Sequence, residues 1–260
     1  MRLLRTLLQK IRFKANHMGY DIRPIDRQCW EDQKQLLSVK IPTTIIDAGA
    51  NRGTITSTYR QLFPEATVYS FEPMLNCFED LKAAHDSDSK VKTFHIALGE
   101  ENGKKDFFIN SAADTSSLLA PDTAKLNDSY AQALKIKHQV ETDVVTLDSV
   151  FQNEQLSHVD ILKMDVQGGE LGILKGATEL LRQKKVSLIY TEVYFVPMYK
   201  HQPLFGDICS ELALHGYKFH YLYNYVFNGR TGRLFQADAI FVCPELEERA
   251  KQLLSGFNRA

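Results

Sequence analysis

The chain has 260 residues, of which 44% are hydrophobic and 24% charged, which suits one globular domain with an N-terminal extension and argues against a disordered or membrane-spanning polypeptide. Lysine and arginine number 31 against 32 for aspartate and glutamate, so no net field draws polyanions, and nucleic acid is not an expected partner. Cys29, Cys77, Cys209 and Cys243 lie far apart, with no C-x-x-C pair and no clustered histidines, and are expected to be reduced, mostly buried thiols in a cytoplasmic setting, with no zinc site.

Residues 1–40 read as an N-terminal helical extension and 41–260 as the main domain. The opening segment, MRLLRTLLQKIRFKAN, sets Leu3, Leu4, Leu7, Leu8 and Ile11 at helical spacing with basic residues between them. Charge interrupts it too often for a signal peptide or a membrane span. Two readings stay open: a helix packed on the domain, or a basic amphipathic helix making peripheral contact with an anionic membrane through residues 1–16.

From residue 41 onward, β-branched runs alternate with helix-like stretches. TTIIDAG is a predicted strand, Thr54 to Phe63 a helix, ATVYSFE a strand, Leu75 to Ala84 a helix and VKTFHIALG a strand. This alternation predicts right-handed crossovers and a doubly wound, mostly parallel α/β sheet, Rossmann-like in class. A polar stretch follows, with one strand-like run, KKDFFI; it is either a loop covering a site or a surface excursion. QVETDVVTLDSV then reads as a strand running into a short helix, VDILKMDV as a strand, Gly168 to Arg182 as a helix broken at Gly176, and VSLIYTEVYF as a strand. A helix beyond Pro203 ends near Gly216, and YKFHYLYNYVFNG with LFQADAIFVC forms a closing antiparallel hairpin.

Ligands of open α/β sheets sit beyond the carboxyl ends of the strands, and here those ends carry Asp47, Glu72, Asp165 and Glu192. The first strand runs into DAGANRG, where Gly49 and Gly53 permit positive φ and let a ligand approach the backbone. A dinucleotide fingerprint would need a middle glycine, and Asp47 would repel a pyrophosphate but suit a cationic amino group. Glu72, about 20 residues beyond the glycine loop, stands where a carboxylate accepts from both ribose hydroxyls. An adenosine-type ligand bearing an ammonium group is S-adenosylmethionine, which disfavours a nicotinamide-dependent oxidoreductase.

The segments IIDAGANRG, VYSFEP, FHIALGEENG, TSSLL, VVTLDSV and LKMDVQGGELGILKGA, in that order, resemble the FkbM-type S-adenosylmethionine-dependent methyltransferases, a branch of the class I methyltransferase fold. The resemblance runs from about Ile45 to Val193 and more weakly to the final strand. It implies that Asp47, Gly49, Asn51 and Gly53 line the methionine end of the cofactor, that Glu72 holds the ribose, and that Ala97 and Leu98 lie near the adenine edge. Asp165 would close the site beside the transferable methyl group. It also implies a hydroxyl acceptor on a sugar, glycan or small secondary metabolite. One departure stands out: the family usually has Glu at the position of Gln167 and Ala or Ser at that of Gly169. An amide cannot take a proton, so the acid-base candidates become Asp165, Glu170 and Glu192.

Each candidate has a bland counterpart. Glu170 suits the first turn of a helix electrostatically, and Glu192 could be a carboxylate bonded to a neighbouring loop. His201, in a predicted loop at the carboxyl edge, is a fourth candidate base. A divalent cation shared by Asp165 and Glu192 is considered but not expected, since no third acid or Asn follows Glu192. The expected function is O-methylation by S-adenosylmethionine, with a non-catalytic cofactor-binding or partner-binding module as the alternative. A nucleic-acid methyltransferase is disfavoured by the balanced charge and the missing Asn/Asp-Pro-Pro-aromatic signature.

Overall fold

A computed structural model of the chain describes residues 28–38, 40–123, 128–228 and 231–248; the helix expected over residues 1–16 lies outside them. The first described helix, α1 (Cys29–Leu36), precedes residue 41 yet contributes Cys29 and Leu36 to the main core. Trp30 sets its ring edge-on against Tyr59 and Tyr190, with centroids 5.6 and 5.7 Å away.

Strands β1 (Thr44–Ala48), β2 (Thr67–Phe71) and β3 (Val91–Phe94) alternate with helices α2 (Thr54–Leu62) and α3 (Leu75–His85). After an insertion the pattern resumes with β7 (Val159–Met164), the helices α6 (Glu170–Lys175) and α7 (Thr178–Arg182), and β8 (Val186–Tyr194). Helix α8 (Phe205–Leu214) leads to the closing pair β9 (Lys218–Phe227) and β10 (Leu234–Val242). The seven-stranded sheet has the order β3-β2-β1-β7-β8-β10-β9, with only the β10 pairings antiparallel. This is the doubly wound α/β sheet with a terminal hairpin that the sequence predicts. Ile45, Ile46, Ile161, Leu162, Leu188 and Ile189 are completely buried, because helices cover both faces. Winding runs outward from β1 to β3 and then returns to β7 beside β1, so a crevice opens beyond the carboxyl ends of β1 and β7.

The strand expected at KKDFFI is present as β5, while VKTFHIALG and the rest of the polar stretch differ from expectation. VKTFHIALG is two strands: β3 stays in the main sheet, while β4 (Ala97–Leu98) pairs with β6 (Ile136–Val145) in a separate sheet of order β4-β6-β5. The polar stretch supplies β5 (Gly103–Asn110), the antiparallel partner of β6, and the helix α4 (Asp128–Ala133). Phe107 on β5 packs with Met74 and Cys77, which fastens this small sheet to the start of α3. The short helix α5 (Leu147–Asn153) follows β6 and is capped by Thr146, whose hydroxyl accepts from the Ser149 amide at 3.1 Å. The break between α6 and α7 falls at Gly176, where a Cβ would overlap the carbonyl oxygen of Gly99.

Asp47 and Lys163 are register partners on β1 and β7, and both are almost wholly buried. The ammonium nitrogen lies 2.9 Å from Asp47 Oδ1 and donates to the carbonyls of Gly49 (2.8 Å) and Ala48 (3.2 Å). The Thr56 hydroxyl donates to Asp47 Oδ2 at 2.8 Å. Burial alone would lower the Lys163 pKa, but the charges of Asp47 and Asp165 outweigh it and the net direction is upward. Lys163→Met leaves Asp47 charged and without a counter-ion; the expected loss is about 3–5 kcal/mol of unfolding free energy, read from the urea midpoint at unchanged slope.

Candidate active site

The turn after β1 is built from left-handed residues: Gly49, Asn51 and Gly53 have φ of 71°, 49° and 86°. The amides of Gly49 and Ala50 both donate to the Phe71 carbonyl at 3.0 Å, folding the turn over the end of β2. A side chain at Gly49 would overlap the Asp165 carbonyl, so only glycine lets the ends of β1 and β7 approach this closely. The turned backbone aims the Asn51 amide at Glu72, whose Oε2 accepts it at 2.8 Å, while Oε1 accepts the Met74 amide at 2.8 Å. Burial raises the Glu72 pKa, with the two amides pulling the other way. Each carboxylate oxygen retains a free lone pair for a ligand hydroxyl.

A cavity of about 450 Å³ begins here. Gly49, Asn51, Glu72, Ala97 and Leu98 line it, as do Asp165, Gln167, Glu192, Met198 and Gln236, and the insertion contributes Phe107, residues 112–116, Leu118 and Tyr130.

Within this lining, Gln167 is a hub of hydrogen bonds. Its Nε2 donates to Asp165 Oδ1 and to Glu192 Oε2, each at 2.9 Å, and its Oε1 faces the hydroxyls of Tyr194 (3.1 Å) and Tyr199 (3.2 Å). Tyr194 also donates to Glu192 Oε2, and Gln236 Nε2 donates to Glu192 Oε1. The backbone of Gln167 has φ of 56°, held by the Ser117 hydroxyl donating to its carbonyl at 2.8 Å. Glu192 is buried, and burial together with the charges of Asp165 and Glu170 lifts its pKa well above the usual carboxylate range. The place between Asp165 and Glu192 is filled by an amide that donates to both. Among the described residues no group of three His, Cys, Asp or Glu side chains converges to hold a metal ion.

Seven of the residues singled out from the sequence line this one cavity: Gly49, Asn51, Glu72, Ala97, Leu98, Asp165 and Glu192. Four do not. The carboxylate of Asp47 faces Lys163 rather than a ligand amine, because a buried charge takes the nearest counter-ion. Gly53 lies behind the turn, where a Cβ would press on His85 and Leu81 at 2.9 Å, so its smallness serves helix packing. Glu170 turns back under its own loop, accepting the amides of Val166 (3.0 Å) and Gly168 (3.2 Å), the helix-start role foreseen as its alternative. His201 is exposed, in a left-handed turn with φ of 58°, away from the cavity wall. Glu192 also sits within β8 rather than at its end, since the strand continues to Tyr194.

Residues 112–116 fall in the polar stretch expected to cover a site or form a surface excursion, whereas Lys163, Tyr199 and Gln236 are not among the candidate residues and Gln167 enters only as a missing acid. Only Lys163 carried a signal, a lone cation inside the apolar run VDILKM.

Residues 47–219 match the family model described as the methyltransferase FkbM domain. The chain belongs to the FkbM methyltransferase family. This makes it an S-adenosylmethionine-dependent methyltransferase domain, and the FkbM match covers the glycine turn, Glu72 and the whole Gln167 network except Gln236. The 2-O-methyltransferase NoeI of Sinorhizobium fredii is 28% identical over 182 residues, covering 65% of this chain and 71% of that protein. Methyltransferase 1 of Beauveria bassiana is 29% identical over 142 residues, covering 51% and 57%. The chain thus spans less than two thirds of that fungal relative. Among solved structures, precorrin-6y C5,15-methyltransferase of Geobacter metallireducens superposes with a TM-score of 0.42 at 10% identity, over 82% of this chain and 86% of that one. Among the described residues no helix is long and apolar enough to cross a membrane.

Burial above all raises the Glu170 pKa to about 7, so the folded protein holds this proton more tightly than the unfolded chain. Its contribution is most favourable below the unfolded value near 4.5, is lost as pH rises toward 7, and remains lost above. Glu170→Gln keeps an acceptor for both amides. Denaturant unfolding from pH 5 to 8 is expected to show the variant losing less stability than the wild type, by on the order of 3 kcal/mol.

Proposed function

We propose that the domain transfers a methyl group from S-adenosylmethionine to a hydroxyl oxygen of a glycan or small metabolite, with Glu192 as the general base. The observation that carries this reading is the continuity of one cavity from Glu72 to the Asp165–Gln167–Glu192 network. The residues fit the cofactor: Glu72 keeps one acceptor site on each oxygen for the two ribose hydroxyls, and Ala97 and Leu98 offer an apolar edge for adenine. Asp165 spends only Oδ1 on Gln167, leaving Oδ2 for the amino group of the methionine moiety. When bound, the cofactor supplies a methyl group on a positively charged sulfur.

Oxygen as the acceptor is supported by what Glu192 has left. A carboxylate has about four acceptor sites. Gln167 and Tyr194 occupy two on Oε2 and Gln236 one on Oε1, so Oε1 keeps one site on a side chain that lines the cavity. A hydroxyl hydrogen-bonded there would give its proton to Glu192 as its oxygen attacks the methyl carbon, and the burial that raises the Glu192 pKa makes it a stronger base than an exposed carboxylate. The name of the relative NoeI, a 2-O-methyltransferase, points the same way.

Calorimetry with S-adenosylhomocysteine tests the cofactor end without an acceptor. Glu72→Ala is expected to weaken binding by about tenfold or more, equivalent to about 1.4 kcal/mol of ribose hydrogen bonding. Glu192→Gln should bind it within about threefold of wild type and lose at least about 100-fold in turnover once an acceptor is found by screening hydroxyl compounds. Preference for NAD would sink the reading, and cofactor binding without turnover on any hydroxyl would favour a non-catalytic module.

A further inference from the structure

The charge of the cavity wall bears on the acceptor. Among the described residues lining it stand four carboxylates, Glu72, Asp114, Asp165 and Glu192, and no lysine, arginine or histidine. Two cations close by in sequence are engaged elsewhere: Arg52 pairs with Asp80, and Lys163 is held by Asp47 and two carbonyls. If Glu72 and Asp165 serve the cofactor, Asp114 and Glu192 remain for the acceptor. Asp114 forms no hydrogen bond or ion pair with the described residues, and it sits in a short 3₁₀ turn, Ala113–Thr115.

That turn is held in place. The Thr115 carbonyl accepts from Asn110 Nδ2 at 2.6 Å and from the Tyr199 hydroxyl at 2.7 Å, and the Thr115 hydroxyl donates to the Ala112 carbonyl at 2.7 Å. Tyr199 faces Gln167 as well, so one side chain ties the Asp114 turn to the base network. The Tyr199 hydroxyl also records the local field: after burial, its pKa is driven up by the charges of Glu192, Glu170, Asp165 and Asp114. A phosphate or carboxylate entering here would meet carboxyl groups on several sides and no cation among the lining residues. A hydroxyl or ammonium group would meet acceptors.

We infer that the acceptor is a polyhydroxyl compound without negative charge, neutral or amino-bearing, and that Asp114 is a specificity-determining residue against sugar phosphates, nucleotide sugars and uronic acids. This rests on the methyltransferase reading of the same cavity.

The test probes the field where the methyl group sits. Sinefungin carries an amino-bearing carbon at that place, and S-adenosylhomocysteine carries a neutral sulfur. Wild type is expected to bind sinefungin about tenfold or more tightly than S-adenosylhomocysteine at low salt. In Asp114→Lys, an exposed substitution, the ratio is expected to narrow by at least about threefold with homocysteine-product affinity and melting temperature little changed. Equal affinities in the wild type, or a ratio indifferent to Asp114→Lys, overturn the inference. In a second arm, S-adenosylhomocysteine release is followed with glucose, glucosamine and glucose 6-phosphate; turnover of the phosphate at the rate of its neutral counterpart overturns it too. Failure of the wild type to bind S-adenosylhomocysteine at all would instead bring down the methyltransferase reading beneath it.

Discussion

The buried ion pair between Asp47 and Lys163 is the constraint on which the rest of the site depends. It joins register partners at the carboxyl ends of β1 and β7, the two strands that flank the reversal of winding direction. An ammonium group has three donors, and here all three are used, one on the Asp47 carboxylate and two on the carbonyls of Ala48 and Gly49. The pair thereby holds the backbone that starts the glycine turn. In turn, that backbone presents the Asn51 amide to Glu72 and sets Gly49 against the Asp165 carbonyl. A charge pair this deep adds little net stability over an apolar pair, but losing one partner is costly, so it serves to fix geometry.

The cavity draws its walls from two sources with different physics. The floor comes from strand ends of the main sheet, where paired backbones fix the carboxylates closely in space. The facing wall comes from the insertion, whose own sheet of β4, β6 and β5 is attached through Phe107, Met74 and Cys77. Side-chain hydrogen bonds join the two: Ser117 to the Gln167 carbonyl, and Tyr199 to the Thr115 carbonyl.

Gln167 illustrates why an amide can stand where an acid is usual. A third carboxylate between Asp165 and Glu192 would need a proton to sit within hydrogen-bond reach of both. The amide offers two donors to the two acids, and its carbonyl meets Tyr194 and Tyr199. With an amide at this position, Glu192 and Glu72 are the buried carboxylates among the described residues lining the cavity. Reading Gln167 only by what it cannot do, take a proton, overlooked what it donates.

The sequence by itself determined the doubly wound class, most of the strands and helices, the glycine turn after β1 and the acid Glu72 just beyond β2. These follow from local chemistry: periodicity, β-branching, positive-φ glycines and an acid at a strand end are written over a few neighbouring residues. Tertiary structure alone decided which acids face the cavity. Asp47 and Asp165 look alike in sequence, each an aspartate where an apolar run meets a turn, yet one turns to Lys163 and the other to the cavity. Glu170 and Glu192 part in the same way, one bonded to its own loop and one lining the wall. The physical reason is that a carboxylate's role is set by the counter-ion or donor nearest to it in space, and here those partners lie on strands and loops far away in the chain.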